Sequence, residues 1–267
     1  MSVIDFHSHI LPGIDDGARN LETSLAMLRQ VSSQRVDYMI ATPHFYASHD
    51  RIDAFLNRRE DAYNSLKEAV HKESLSDVPQ ILTGSEVAFF DGISKAELIE
   101  DLTIQNTRVL LLEMPFAPWT SQNIHEVEVL VRDRGFNVLI AHLERFIWIP
   151  GNKKGIRSLL EIPVRIQINS EGLQDWRHRR YLLKMFRSGS AHVLGSDCHG
   201  AHHRVPDLLT GREIIKKKCG DRPAGRSSFI WKLTDYGEQD RRKQYVKKDC
   251  DYHQLHIICS AGCGDGL

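Results

Sequence analysis

Short apolar runs alternate with stretches of helical periodicity through the first ~215 residues, and that alternation limits the fold more than any other feature of the chain. Runs at 3–7, 36–41, 80–83, 108–112, 138–141, 164–168 and 192–195 read as strands. Residues 109–112 are apolar at every position, as in a strand buried on both faces. Between the runs, Asn20 is placed to cap a helix carrying Leu21, Leu25, Leu28 and Val31 at helical spacing. Residues 52–71 put Phe55, Ala62, Leu66, Ala69 and Val70 on one side and charges on the other. A helix over 122–134 buries Ile124, Val127, Leu130 and Val131 and stops at Gly135; shorter helices are expected near 156–160 and 181–186. Strand and helix alternating this way form parallel βαβ units with right-handed crossovers. About seven units predict an α/β barrel, distorted or incomplete, with a doubly wound open sheet as the alternative.

A chain of 267 residues is long enough to build such a barrel as one domain. Its formal net charge of zero gives no electrostatic reason to bind nucleic acid. The N-terminus lacks a basic segment followed by an apolar one, and no run approaches the ~18 apolar residues of a membrane span, so a cytoplasmic location is expected. Only Cys198 of the five cysteines lies in the first 218 residues, which is not a disulfide framework. After Lys216-Lys217-Lys218 the text becomes rich in Arg, Lys, Asp and Gly without periodicity. There Cys250, Cys259, Cys263, His253 and His256 match no zinc-ligand spacing. Residues 1–218 are therefore read as the domain, and 219–267 as an atypical tail, poorly ordered or translated from a shifted frame.

The ends of the strands carry the chemistry. His7 and His9 are two positions apart and point the same way on a strand, so they can grip one ion. Later runs end at His44, Glu86, Glu113, His142, and at Asp197 with His199. The C-terminal ends of barrel strands converge on one face, so these side chains are expected to meet. Asp16, from the first loop, brings the set to five imidazoles and four carboxylates, more than one ion takes from a protein. Two to three divalent ions are implied, of a borderline kind such as manganese, iron or zinc. Cys198 reads as a small buried hydrophobe between Asp197 and His199. Arg145, three residues past His142, and Arg204, five past His199, are suited to hold phosphate oxygens bidentately. Clustered ions lower the pKa of water and hold phosphoryl oxygens, so hydrolysis of a phosphate ester is the chemistry expected.

The segments Asp5-Phe6-His7-Ser8-His9-Ile10-Leu11-Pro12, Asp15-Asp16-Gly17, Ala41-Thr42-Pro43-His44, Gly84-Ser85-Glu86, Leu112-Glu113-Met114-Pro115-Phe116, Ala141-His142-Leu143-Glu144-Arg145 and Ser196-Asp197-Cys198-His199 resemble the polymerase and histidinol phosphatase (PHP) superfamily. Within it they are most similar to the bacterial manganese-dependent tyrosine-protein phosphatases of capsule and exopolysaccharide operons. The resemblance implies a distorted (β/α)7 TIM-like barrel, the PHP fold, with a trinuclear manganese site. As metal ligands it implies His7, His9, Asp16, His44, Glu86, Glu113, His142, Asp197 and His199, with Arg145 and Arg204 on the substrate side. It further implies a phosphotyrosine-bearing protein as partner, a membrane-associated autophosphorylating tyrosine kinase controlling polysaccharide synthesis, with homo-oligomerisation left open. A small-metabolite phosphatase of the histidinol phosphate type, a phosphodiesterase of the same superfamily, and a catalytically impaired phosphotyrosine- or kinase-binding protein are the other readings. Two departures stand out: Leu143 replaces the usual proline after His142, and the C-terminal helix expected to continue from Ile214-Ile215 gives way to the tail.

Overall fold

The computed structural model describes residues 2–220. In chain order these form β1 (Ile4–Ser8), α1 (Leu21–Ser32), β2 (Tyr38–Ala41), β3 (His44–Phe45), α2 (Ile52–Lys72), β4 (Gln80–Thr83), β5 (Glu86–Ala88), β6 (Val109–Glu113), α3 (Ser121–Arg132), β7 (Asn137–Ile140), α4 (Asn152–Leu159), β8 (Arg165–Asn169), α5 (Trp176–Ser188), β9 (Val193–Gly195) and α6 (Leu209–Cys219). Every strand pairing is parallel: β1 with β2, β2 with β4, and then β3, β5, β6, β7, β8 and β9 side by side.

Two strand positions are broken. β2 stops at Ala41 and resumes as β3 after Thr42-Pro43, and β4 stops at Thr83 and resumes as β5 after Gly84-Ser85. Proline has no N–H to give a ladder, so the strand restarts beyond it. The sheet stays continuous there, because Gly84 N–H donates to Ala41 O at 2.8 Å and Glu86 N–H donates to Pro43 O at 3.0 Å. With the pieces joined there are seven strand positions. The last meets the first: His9 N–H donates to Cys198 O at 3.0 Å and Asp197 N–H to His7 O at 2.8 Å. A closed ring excludes the open doubly wound sheet and matches the expected distorted barrel.

Burial follows the periodicities. Leu110, Leu111, Leu112, Val138, Leu139 and Ile140 are wholly enclosed, while α1 turns Leu25, Met27, Leu28 and Val31 inward. Each such side chain contributes about 1.5–3 kcal/mol by leaving water. The Asn20 side chain accepts from Thr23 N–H as the cap of α1, and Thr120 with Asn123 closes a reciprocal capping box on α3. Gly135, at φ +68°, ends that segment in a conformation other residues resist.

Differences from the sequence reading have local causes. α5 starts at Trp176, five residues before its expected centre begins, because Asp175 accepts from Arg177 N–H and caps a polar first turn that periodicity misses. At the other end, α6 runs through the proposed boundary at 218/219 to Cys219. The remainder of the predicted tail, with Cys250, Cys259, Cys263, His253 and His256, lies outside the described residues. Among the described residues, no helix is long and apolar enough to cross a membrane.

Candidate metal centre

All nine side chains singled out in the sequence meet at the end of the barrel where β1, β2, β4, β6, β7 and β9 finish. They fall into four overlapping groups whose donor atoms lie within 4.8 Å of one another: His9, Asp16, His44 and His199; His7, Glu86 and His142; His7, His9 and Asp197; and His44, Glu86 and Glu113. Glu86 is the hub. Its Oε2 is 3.0 Å from His7 Nε2, 3.2 Å from His9 Nε2 and 3.1 Å from His44 Nδ1, while Oε1 is 2.8 Å from His142 Nε2. Glu113 Oε1 lies 3.3 Å from His142 Nε2, and Asp16 Oδ1 lies 3.3 Å from His199 Nε2 and 3.5 Å from His44 Nε2. Asp16 is the accessible member, with its side chain 65% exposed; Glu86 is buried.

Strand geometry explains the placement. His7 lies inside β1 and His9 just beyond it, and the two-residue period turns both rings to the same side, with Nε2 atoms 3.1 Å apart. His44 and Glu86 are the first residues of β3 and β5 and pair in register. The breaks after β2 and β4 thus deliver one donor each to the same level. Gly195 is required by this crowding, since a Cβ there would stand 2.6 Å from His7 Cβ.

Sequence reasoning missed the residues that orient the donors. Asp15 Oδ2 is 2.7 Å from His9 Nδ1 and accepts from His44 N–H at 3.0 Å, which keeps the proton of His9 on Nδ1 and its Nε2 facing the cluster. Gln167 Oε1 accepts from His142 N–H at 2.7 Å and is 3.2 Å from His7 Nδ1. Asn169 Nδ2 donates to Asp197 Oδ2 at 2.8 Å. A signal existed for the last two: in β8, Arg165, Gln167 and Asn169 alternate with Ile166 and Ile168, so Gln167 and Asn169 share one polar face running to the end of the strand where the donors gather.

Electrostatics favour cations. Burial disfavours charge on Glu86 and Asp197, yet the imidazoles and, for Asp197, Arg145 hold both carboxyls well below the usual range. Asp15, opposed by burial, is drawn down to about 2 by His9. Arg145 and Arg204 converge on Asp197, at 2.5 Å to Oδ2 and 2.8 Å to Oδ1. Both guanidinium groups are partly exposed beside the cluster, 33% and 27%. Strain collects at the same point: His142, Asp197 and Arg204 have φ of 28°, 51° and 47°. Non-glycine residues held there cost of order 1–3 kcal/mol each, a pattern typical of functional sites. Cys198 is fully buried, and burial raises its thiol well above the ordinary value, as suits a packing residue.

The donor set fits divalent ions. Among the described residues, His44 Nδ1, Glu86 Oε2, His142 Nδ1, Glu144 Oε2 and His199 Nε2 are buried without a well-formed hydrogen bond. Protein interiors rarely leave such atoms unserved. Three of the five, on His44, Glu86 and His199, lie at the cluster, where imidazole and carboxylate donors of this kind suit manganese, iron or zinc.

Comparison with known proteins gives a consistent picture. The family described as "Capsular polysaccharide synthesis, CpsB/CapC" matches residues 3–229. The tyrosine-protein phosphatase CpsB of Streptococcus pneumoniae is 31% identical over 236 residues, 83% of this chain and 93% of that protein. The tyrosine-protein phosphatase YwqE of Bacillus subtilis is 26% identical over 255 residues, 91% of this chain and 93% of that protein. A crystal structure from work on YwqE of Bacillus subtilis and CpsB of Streptococcus pneumoniae, described as unique metal-dependent tyrosine phosphatases, superposes with a TM-score of 0.71. That match has 26% identity and covers 82% of this chain and 89% of the other.

Proposed function

The chain belongs to the CpsB/CapC capsular polysaccharide synthesis family, and from that premise we propose that it is a metal-dependent phosphatase acting on phosphotyrosine in a protein. The observation that carries the reading is the convergence of nine metal-competent side chains with two arginines on one rim of the barrel. His7, His9, Asp16, His44, Glu86, Glu113, His142, Asp197 and His199 would hold two to three divalent ions, with manganese our proposal for the metal. Ions in such a site supply Lewis acidity toward phosphoryl oxygens and a water of lowered pKa near neutral pH.

The protein's own groups do the rest. Arg145 and Arg204 hold the phosphoryl oxygens and offset charge as the ester bond breaks. Asp197 aims both guanidiniums, and Asn169 fixes its second oxygen. Asp15 and Gln167 lock the imidazoles of His9 and His7 with Nε2 inward. Carboxylates and histidines buried to this degree keep bulk water from competing for the phosphoryl group. The substrate we propose is a tyrosine kinase of the capsule or exopolysaccharide machinery.

Turnover of a phosphotyrosyl peptide, histidinol phosphate and an oligonucleotide, with and without EDTA, tests the proposal. The peptide should be the preferred substrate, with activity lost to EDTA and restored by Mn2+. Preference for histidinol phosphate or the oligonucleotide, or activity indifferent to EDTA, would overturn it.

A further inference from the structure

The loops that build the site also present an aromatic and basic patch that the chemistry above does not use. Trp148, three residues beyond Arg145, is 51% exposed, and α5 opens beyond the end of β8 with Trp176-Arg177-His178-Arg179-Arg180-Tyr181. The Trp148 ring stacks on His178 with centroids 4.5 Å apart and meets Tyr181 edge-on at 6.0 Å. Trp176 is 76% exposed, and the Arg177 guanidinium sits 5.8 Å from its ring centroid. Asp175 is engaged, capping the helix and lying 3.1 Å from His178 Nδ1. Arg179 is spent on the carbonyls of Leu173 and Gln174. Arg177 and Arg180 are exposed and ion-pair with no described residue.

This arrangement works against local stability. Cations in the first turn oppose the helix dipole, and the exposed rings of Trp148 and Trp176 leave apolar surface in water. Binding explains both, because arginine and tryptophan are the side chains that dominate interfaces, and unpaired guanidiniums call for an anionic partner. Position selects the partner. The patch grows from the loops after β7 and β8, whose strand ends also supply His142, Arg145 and Asn169. We propose that Trp148, Arg177 and Arg180, backed by His178 and Tyr181, form a docking shelf for acidic residues flanking the phosphotyrosine of the substrate protein. This rests on the phosphotyrosine reading above and adds a sequence preference to it.

The test compares the full chain with Arg177→Glu/Arg180→Glu and with Trp148→Ala. Substrates are a phosphotyrosyl peptide flanked by Asp and Glu, the same peptide flanked by Asn and Gln, and p-nitrophenyl phosphate. Fluorescence anisotropy of the labelled acidic peptide and co-sedimentation with phosphatidylglycerol vesicles accompany them. Charge reversal should raise KM for the acidic peptide about tenfold with kcat unchanged, and leave the other two substrates alone; Trp148→Ala should shift KM the same way. An unchanged KM for the acidic peptide overturns the shelf, as does an equal change for all three substrates. Loss of vesicle binding with peptide KM intact overturns it in favour of a membrane surface. If the unaltered protein hydrolyses none of the substrates, the phosphotyrosine reading falls by itself. Anisotropy then decides the shelf: weaker peptide binding on charge reversal sustains it, and unchanged binding removes it.

Discussion

The barrel delivers its donors in two ways. At the seam between β9 and β1, continuous backbone carries paired residues: His7 with His9 on one side and Asp197 with His199 on the other, tied by His9 N–H to Cys198 O and Asp197 N–H to His7 O. At the two broken positions, Thr42-Pro43 and Gly84-Ser85 interrupt the strand and the donor is the residue at which it resumes, His44 or Glu86. Packing differs accordingly. A Cβ on Gly195 would meet His7 Cβ at 2.6 Å, whereas the nearest atoms to one on Gly84 would be Ile104 Cγ1 at 3.2 Å, Ile40 Cγ2 at 3.4 Å and Ile104 Cα at 3.5 Å. The seam is the more tightly packed of the two and fixes several donors at once; the breaks are less crowded and place one donor each.

That contrast breaks if the two regions respond alike to substitution. Asp197→Ala removes the group that holds Arg145, Arg204 and Asn169, and should lower kcat on p-nitrophenyl phosphate about 10³-fold; His44→Ala, at a break and partly exposed, should lower it about 10²-fold. Equal losses would erase the distinction. Gly195→Ala should destabilise the fold by about 3 kcal/mol in urea titration, against about 1 kcal/mol for Gly84→Ala. A reversed order would show the seam to be the softer region. Gln167→Ala leaves His142 N–H and His7 Nδ1 without their shared acceptor, and should weaken metal retention about 10- to 100-fold, read by metal content after dialysis. Full retention would mean the seam imidazoles are oriented by packing alone.

The smallest effect is a pH dependence at the start of the seam strand. His192 Nδ1 accepts from Ile166 N–H at 3.0 Å, and burial, with Arg165 nearby, pushes its imidazole from 6.5 down to about 4. Above 6.5 neither state is protonated there. As pH falls from 6.5 to about 4, the unfolded chain takes up a proton that the folded one refuses, so stability drops. His192→Asn keeps an acceptor and removes the titration, so its stability should fall less than that of the unaltered protein across this window. Parallel curves from urea midpoints would exclude His192 as a contributor.

The seam was legible in the sequence and the breaks only half so. His7-x-His9 is a pair whose spacing states a shared face, and Asp197-x-His199 directly follows the last apolar run, although Asp197 itself leaves extended backbone at φ 51°. Thr42-Pro43 and Gly84-Ser85 look like strand ends, and nothing local says that His44 and Glu86 begin a second paired segment whose partners lie ~25 or more residues away. The orienting groups were harder still. Asp15 sits beside Asp16 in one short loop, and spacing alone does not say which carboxylate turns inward to His9. Periodicity places this helix only near 181–186, because none of its first residues, Trp176 through Arg180, is buried and the packed side chains begin at Leu182.

The seam also sets a schedule for synthesis. Because β1 pairs with both β2 and β9, the histidines made first must wait for residues near 199 before their site is whole. A ribosome adding residues from the N-terminus therefore releases nearly the entire barrel before the donors of β9 can join those of β1. Until then one edge of the first strand stays unpaired, and closure of a contact spanning about 190 residues is a slow, late event in folding. The group of His7, Glu86 and His142 can assemble earlier, but the groups that include Asp197 or His199 come together last.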